Sequence, residues 1–289
     1  MIDTGRVRLA VRRTGPDATS AAAQRPVLLV HGLASNARLW DGVAQRLGAA
    51  GHPVAAVDQR GHGRSDVPVD GYDTDTCADD LAALIDVLGW VDGLAPVAAG
   101  QSWGANVVLT LAAKHTSATA AIALVDGGWL RLGGRFDTFE QCWQVLAPPS
   151  FEGVRYDELA ARITGSHPDW PPEGVAGTLA NLVETGDGAA RARLSREHHR
   201  SILRSLWQDD PRTFYPLVEV PTLLMPAGDS VGSAVVAEAA LAIGGTRVSE
   251  YVGADHDLHA QHPARCALDL HELATRADMQ ATLPRGTTA

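Results

Sequence analysis

Short apolar runs punctuate the chain at residues 27–30, 54–57, 95–99, 121–125, 222–225 and 247–252. Runs of this length, apolar without alternation, predict strands buried on both faces. Most are separated by stretches with helical periodicity. One such helix is plain: Leu81, Leu84, Ile85 and Leu88 stand at i, i+3, i+4 and i+7 behind a Thr- and Asp-rich start at residues 73–76. The alternation predicts an α/β fold with a mostly parallel sheet covered on both faces. Residues 6–13 alternate well enough for an edge strand, and residues 16–25 read as a polar loop.

The rhythm breaks once. A strand–helix–strand unit takes about 30 residues, yet about 100 separate Ala121 from Thr222. The predicted organisation is a core of residues 1–128 and 217–289, with residues 129–216 inserted as a helical cap. The insertion is under a third of the chain but holds ten of its fifteen aromatic residues. Aromatic density suits a lid over an apolar or aromatic ligand. A small lid with little core also needs large side chains simply to pack.

Composition narrows the class. At 289 residues, 45% hydrophobic and 20% charged, the chain is globular and large enough for one core with a lid. No apolar tract reaches the ~18 residues of a membrane span, and the first residues lack the basic, apolar and small-residue order of a secretory signal. The expectation is a soluble, cytoplasmic protein. Cys77, Cys142 and Cys266 are odd in number and lack CxxC spacing, which fits buried thiols in a reducing compartment. A net charge of -10 with no basic run argues against nucleic acid. The lack of a basic amphipathic stretch argues against a membrane surface. The expected partner is a small-molecule substrate, and a symmetric homodimer is compatible with such a chain.

Chemistry enters at Gly100-Gln101-Ser102-Trp103-Gly104. A G-x-S-x-G at a strand-to-helix turn holds its serine in a strained, exposed position, and the glycines allow close backbone approach. Alone the motif is weak, since chance would produce it in roughly one chain in ten of this composition. Its company is informative: His31-Gly32-Leu33 closes the run at 27–30, and Asp229 and His256 each follow a later predicted strand. The order is Ser, Asp, His.

On VLLVHGLASNARLW, DQRGHGRSD, GQSWGANV, TLLMPAGD and GADHDLHAQHP, the chain resembles the α/β-hydrolase superfamily over residues ~26–128 and ~218–275. The resemblance implies an eight-stranded-type, mostly parallel sheet with helices on both faces and a cap inserted in it. It makes Ser102 the nucleophile and His256 its base. Asp229 is the expected acid, with Asp126 the alternative because some relatives draw the acid from the strand before the cap. The main-chain amides of Leu33 and Trp103 become the oxyanion donors, and His31 holds their loop.

Further candidates for substrate contact are Ser35, Asn36, Trp129, Arg135, Phe139 and Trp143. Ser35 and Asn36 equally suit the cap of a helix beginning near Ala37. Arg135 is a candidate for a substrate carboxylate. His198 and His199, beside Arg196 and Arg200, read as a solvated helix face. The glycine-rich residues 58–66 lack both nucleotide-binding patterns and read as a turn. His256, His259 and His262, with Asp255 and Asp257, lack any zinc-site spacing, so neither metal nor cofactor is expected.

The function so implied is a serine hydrolase cleaving a small, apolar or aromatic ester, lactone or thioester through an acyl-enzyme on Ser102. A serine there argues against haloalkane dehalogenase and epoxide hydrolase chemistry, which needs a carboxylate nucleophile. Alternatives with the same triad are a C–C bond hydrolase, a lyase or an acyltransferase. A non-catalytic small-molecule receptor is the alternative of another class.

Overall fold

The computed structural model describes residues 1–91 and 94–282. β1 (Ile2–Asp3) and β2 (Arg8–Leu9) form a separate antiparallel pair. The core then runs through β3 (Val11–Thr14), β4 (Val27–Val30), α1 (Asp41–Ala49), β5 (Val54–Val57), α2 (Thr74–Val87), β6 (Val97–Gln101), α3 (Trp103–Lys114) and β7 (Ala121–Val125). Between β7 and the next core strand lie α4 (Phe139–Leu146), α5 (Tyr156–Ser166), α6 (Pro172–Leu179), β8 (Leu182–Glu184), β9 (Ala190–Ala192) and α7 (Arg196–Gln208). The core resumes with β10 (Thr222–Met225), α8 (Ala234–Ala242), β11 (Thr246–Val248), α9 (Leu258–Gln261) and α10 (Pro263–Thr282).

Seven strands make the central sheet in the order β11-β10-β7-β6-β4-β5-β3. All neighbours are parallel except β3 against β5. Successive side chains of each strand point to opposite faces, which yields two apolar cores. Leu28, Val30, Ala55, Val57, Ala98, Ile122 and Leu124 pack with Leu81, Leu84 and Ile85 of α2 and with the apolar face of α3. Val27, Leu29, Val54, Ala56, Val97 and Ala99 pack with Val43 and Leu47 of α1 and with Leu270 and Leu273 of α10.

Among the described residues the central sheet has seven strands where eight were expected, and the edge strand predicted over residues 6–13 is divided. The Ala10 N–H donates to Ser65 Oγ at 2.8 Å, and the Ala10 carbonyl accepts the Asp58 N–H at 2.9 Å. Both groups of Ala10 are thus taken by the loop after β5, so the pairing before it and the pairing after it belong to different sheets. That loop is fixed from the other side by a buried ion pair, in which Arg60 Nε and Nη2 donate to the Asp80 carboxylate of α2 at 2.6 and 2.7 Å. α2 itself begins where Asp73 accepts the Thr76 N–H at 2.8 Å.

The segment between β7 and β10 is not purely helical, because β8 and β9 form a hairpin turned at Gly188, φ +80°. Three-residue strands carry too little alternation to be read from sequence. α6 lies on the 3-10 turn Ala37–Trp40; a Cβ at Gly177 would stand 2.9 Å from Leu39 N and Cα, so only glycine allows that approach. α7 docks through His198 stacked on Tyr72, ring centroids 4.2 Å apart, and through Ser205 Oγ accepting the Thr74 N–H at 3.1 Å. His199 is buried, 8% exposed, edge-on to Trp143 of α4, so the pair expected on a solvated helix face packs instead, His198 on Tyr72 and His199 within the inserted segment.

Candidate active site

Among the described residues, three that are not glycine have positive φ: Ala34 at 57°, Ser102 at 54° and Asp126 at 41°. Such backbone costs about 1–3 kcal/mol per residue and persists only where the surroundings enforce it. All three lie at the carboxyl ends of adjacent strands, after β4, β6 and β7. Ser102 sits between β6 and α3, and the glycines around it serve this turn. A Cβ on Gly100 would overlap the Gly104 carbonyl, one on Gly104 the His31 carbonyl, and one on Gly127 the Ser102 carbonyl. The serine is therefore wedged between the β4 and β7 ends.

The acid expected at Asp229 is not the one beside His256. Asp229 is exposed on the 3-10 turn Gly228–Ser230 after β10. Asp126, 7% exposed, places Oδ2 2.6 Å from His256 Nδ1, and its Oδ1 accepts the Ala227 N–H at 3.1 Å. The carboxylate accepts, so His256 carries its proton on Nδ1 and leaves Nε2 as the basic nitrogen. The end of β10 holds the acid through an amide and does not supply it. Gln101 Nε2 donates to the His256 carbonyl at 3.2 Å, tying the histidine loop to the residue before Ser102. Burial would lower the His256 pKa, but the Asp126 hydrogen bond and the charges of Asp257 and Asp126 outweigh it and hold the imidazolium above its ordinary value.

The loop carrying Leu33 is built on neutral histidines. The Gln59 N–H donates to His31 Nε2 at 3.0 Å, so His31 Nδ1 donates to the Gly32 carbonyl at 2.7 Å. The Ala34 N–H donates to His62 Nε2 at 3.2 Å, and His62 Nδ1 donates to the Arg60 carbonyl at 2.9 Å. Burial lowers His31 to about 4. Burial, then the neighbouring His31, lowers His62 to about 3. Both rings thus keep the acceptor nitrogen that the loop needs. A Cβ on Gly32 would stand 3.0 Å from Ser102 Cβ, so the chain just before Leu33 packs directly on the serine. Trp103 begins α3, and first-turn amides have no partner within their own helix.

The sequence matches the model of the alpha/beta hydrolase fold over residues 25–263. The chain belongs to the α/β-hydrolase fold family. It is 29% identical over 265 residues to 2-(acetamidomethylene)succinate hydrolase of Mesorhizobium japonicum, covering 91% of this chain and 90% of that one. It superposes on a crystal structure of E-2-(acetamidomethylene)succinate hydrolase with a TM-score of 0.75 and 25% identity, over 95% of this chain and 97% of that one. The enol-lactonase from Burkholderia xenovorans shares the fold at a TM-score of 0.71 and 20% identity, over 93% and 97% of the two chains.

In this α/β-hydrolase the other candidate side chains divide. Asn36 is a structural cap: Oδ1 accepts the Arg38 N–H at 2.9 Å, and Nδ2 donates to the Gly177 carbonyl at 2.9 Å and to Asn181 Oδ1. Ser35 Oγ is buried with no partner among the described residues. Trp129 is buried in the core beneath the site, and Phe139 packs with Cys142 and Leu203. Leu33 packs against that same cluster, so the inserted segment rests on the loop after β4. Trp143 faces the guanidinium groups of Arg196 and Arg200 at 4.9 and 5.2 Å, whereas Arg135 is exposed and lies over Phe136.

A cavity of about 650 Å³ lies in the inserted segment between residues 148–153 and the β8–β9 hairpin, and it meets the core at Ala34. Ser102 does not line it; its relevance to the chemistry rests on Ala34, the strained residue after Leu33. Sequence reasoning missed three residues that hold the site: His62 under Ala34, and Asp169 with Trp170. Trp170 Nε1 donates to Asp255 Oδ2 at 2.7 Å, and Gln261 Nε2 donates to Asp169 while its Oε1 accepts the Asp255 N–H at 2.7 Å. These contacts join segments 85 and 92 residues apart, which no local pattern announces. His62 lay in view within residues 58–66, where the glycines drew the attention.

Proposed function

We propose that this enzyme is a serine hydrolase of ester-type bonds, with Ser102 as nucleophile, His256 as general base and Asp126 as the acid that orients it. The supporting observation is the 2.6 Å contact of His256 Nδ1 with Asp126 Oδ2, where Asp126 follows directly on Val125, whose carbonyl accepts the N–H of Ser102, itself held at φ 54°. A serine hydroxyl is a weak nucleophile at neutral pH. His256 Nε2 takes the Ser102 proton as Oγ attacks the substrate carbonyl, and Asp126 stabilises the imidazolium. The Leu33 and Trp103 amides receive the oxyanion, each worth about 3–4 kcal/mol in the transition state. His256 returns the proton to the leaving group; water then repeats the sequence on the acyl-enzyme.

Esters, lactones and thioesters suit this set, and the apolar lining of the cavity beside Ala34 favours an apolar acyl or alkyl portion. A second reading comes from the Mesorhizobium relative, whose named substrate is an N-acetyl enamine with two carboxylates. Because the likeness runs along nearly the whole of both chains, N-acyl enamines belong beside esters, lactones and thioesters among the substrates to assay.

The first experiment is intact-mass analysis after treatment with a fluorophosphonate, in parallel with Ser102→Ala. One adduct on the wild type and none on the variant is expected. An adduct that survives in Ser102→Ala, or none on folded wild-type protein, removes the assignment of Ser102.

A further inference from the structure

A second cavity, about 410 Å³, lies apart from Ser102, His256 and Asp126 and is charged where the first is apolar. Its lining gathers four arginines from distant parts of the chain: Arg12 on β3, Arg38 in the turn after β4, Arg64 in the loop after β5 and Arg193 just after β9, together with Asn36 and Asp58. The chain carries a net charge of -10, so nothing in its overall composition favours such a concentration of cations. Like charges drawn together from four elements repel one another unless a counter-charge accompanies them.

The carboxylates at hand are too few. Arg12 holds Asp41 through two hydrogen bonds of 2.8 and 2.9 Å, and Arg38 Nε stands 4.0 Å from the same Asp41. Asp58 is 7% exposed, and its two oxygens accept the Ala37 and Arg64 main-chain N–H groups at 2.7 and 2.9 Å. Gly63, φ +53°, makes this possible, since a Cβ there would overlap the Asp58 carboxylate. The loop therefore wraps the acid inward and presents Arg64 at the groove. Arg193 Nε donates to the Ala180 carbonyl at 2.8 Å, which fixes its stem and leaves its terminal nitrogens unspent. Neither Arg64 nor Arg193 has a carboxylate partner among the described residues. Four guanidinium charges thus face two carboxylates.

We propose that this arginine groove is a binding site for a phosphate-bearing anion. A phosphate group carries about two negative charges at neutral pH, which matches the excess, and its oxygens match the fork of N–H donors on a guanidinium. The cavity has room for more than the phosphate alone, since a water molecule occupies about 30 Å³ of liquid. Asp58 and Asn36 line the groove and also hold residues 36–38, so its occupant sits on the chain that continues into the oxyanion loop.

The test is isothermal titration calorimetry of the full-length protein with inorganic phosphate and with ADP, in chloride buffer at fixed ionic strength. Saturable binding is expected, weakened about tenfold by Arg64→Ala and by Arg193→Ala, the equivalent of one charge-assisted contact each. Arg64→Lys should fall between, and Arg162→Ala on α5, outside the groove, should bind as wild type. Equal affinity for the two probes assigns the site to free phosphate, and tighter ADP binding assigns it to the phosphate arm of a larger ligand. No saturable heat into the millimolar range, or affinities that neither arginine variant changes, overturns the proposal. Circular dichroism verifies that the variants fold. Binding should persist in Ser102→Ala, so this result is independent of the hydrolase reading.

Discussion

Ser102, Asp126 and Ala34 are the three non-glycine residues of positive φ among those described, and each follows the carboxyl end of one of three adjacent strands, around the proposed site. Strain of this kind is retained where function over-determines the backbone. Asp126 and not Asp229 meets His256 because Asp126 turns inward at the end of β7, while the chain leaving β10 gives its Ala227 N–H to that carboxylate and carries Asp229 out onto an exposed turn. Asp126→Asn should lower kcat about 1,000-fold or more by upsetting the His256 tautomer, while Asp229→Asn stays within about twofold of wild type. The reverse ranking returns the role to Asp229. The pH profile provides a second readout. His256 must be neutral to act, and its pKa is raised, so the acid limb of kcat/KM should have its midpoint above the ordinary imidazole value of about 6.5. Asp126→Asn removes the hydrogen bond that raises it and should move whatever limb remains to lower pH.

At the scale of elements, the inserted segment does more than cover the core. Trp170 and Asp169 hold Asp255 and Gln261, which bracket His256, while the Phe139 and Leu203 cluster packs on Leu33. One segment thus holds both the loop of the proposed base and Leu33, a proposed oxyanion donor. Trp170→Phe keeps an aromatic side chain but removes the pyrrole part of the indole with its Nε1–H, leaving Asp255 without its donor. A fall in kcat of roughly 10- to 100-fold with intact thermal stability is expected, as for a misplacement of a reacting group by about an ångström. An unchanged kcat would show that the clamp does not position the base. The core strands and α2 were legible because their apolar periods are local. The β8–β9 hairpin was not, because three-residue strands have no measurable period, and the split at Ala10 was not, because Ser65 causes it from 55 residues away.

For the whole molecule, burial sets how stability depends on pH. His31, His62, His199 and His259 are all buried, and burial lowers them to about 4, 3, 4 and 3. The unfolded chain binds protons at these positions below about pH 6.5 and the native protein does not. Their contribution is therefore complete above that pH and is lost as pH falls from about 6.5 towards 3–4, each histidine adding up to about 1.4 kcal/mol per pH unit. His256 acts in the opposite sense, contributing below about 6.5 and losing that contribution as pH rises through its raised pKa. Four outweigh one, so the melting temperature should fall steadily on acidification below about pH 6.5, and His62→Gln should flatten the slope; a melting temperature independent of pH in that range would contradict the buried neutral rings. By itself the sequence carried the α/β alternation and the family, and it put forward the insertion, the Ser102 turn and His256 as candidates, because each depends on spacing along a few tens of residues. Only the tertiary structure decided which aspartate meets the histidine, which residues clamp its loop, and that four scattered arginines share one groove. Those outcomes depend on strand order and on contacts between segments tens to more than a hundred residues apart, where the chain's own periodicity carries no information about neighbours.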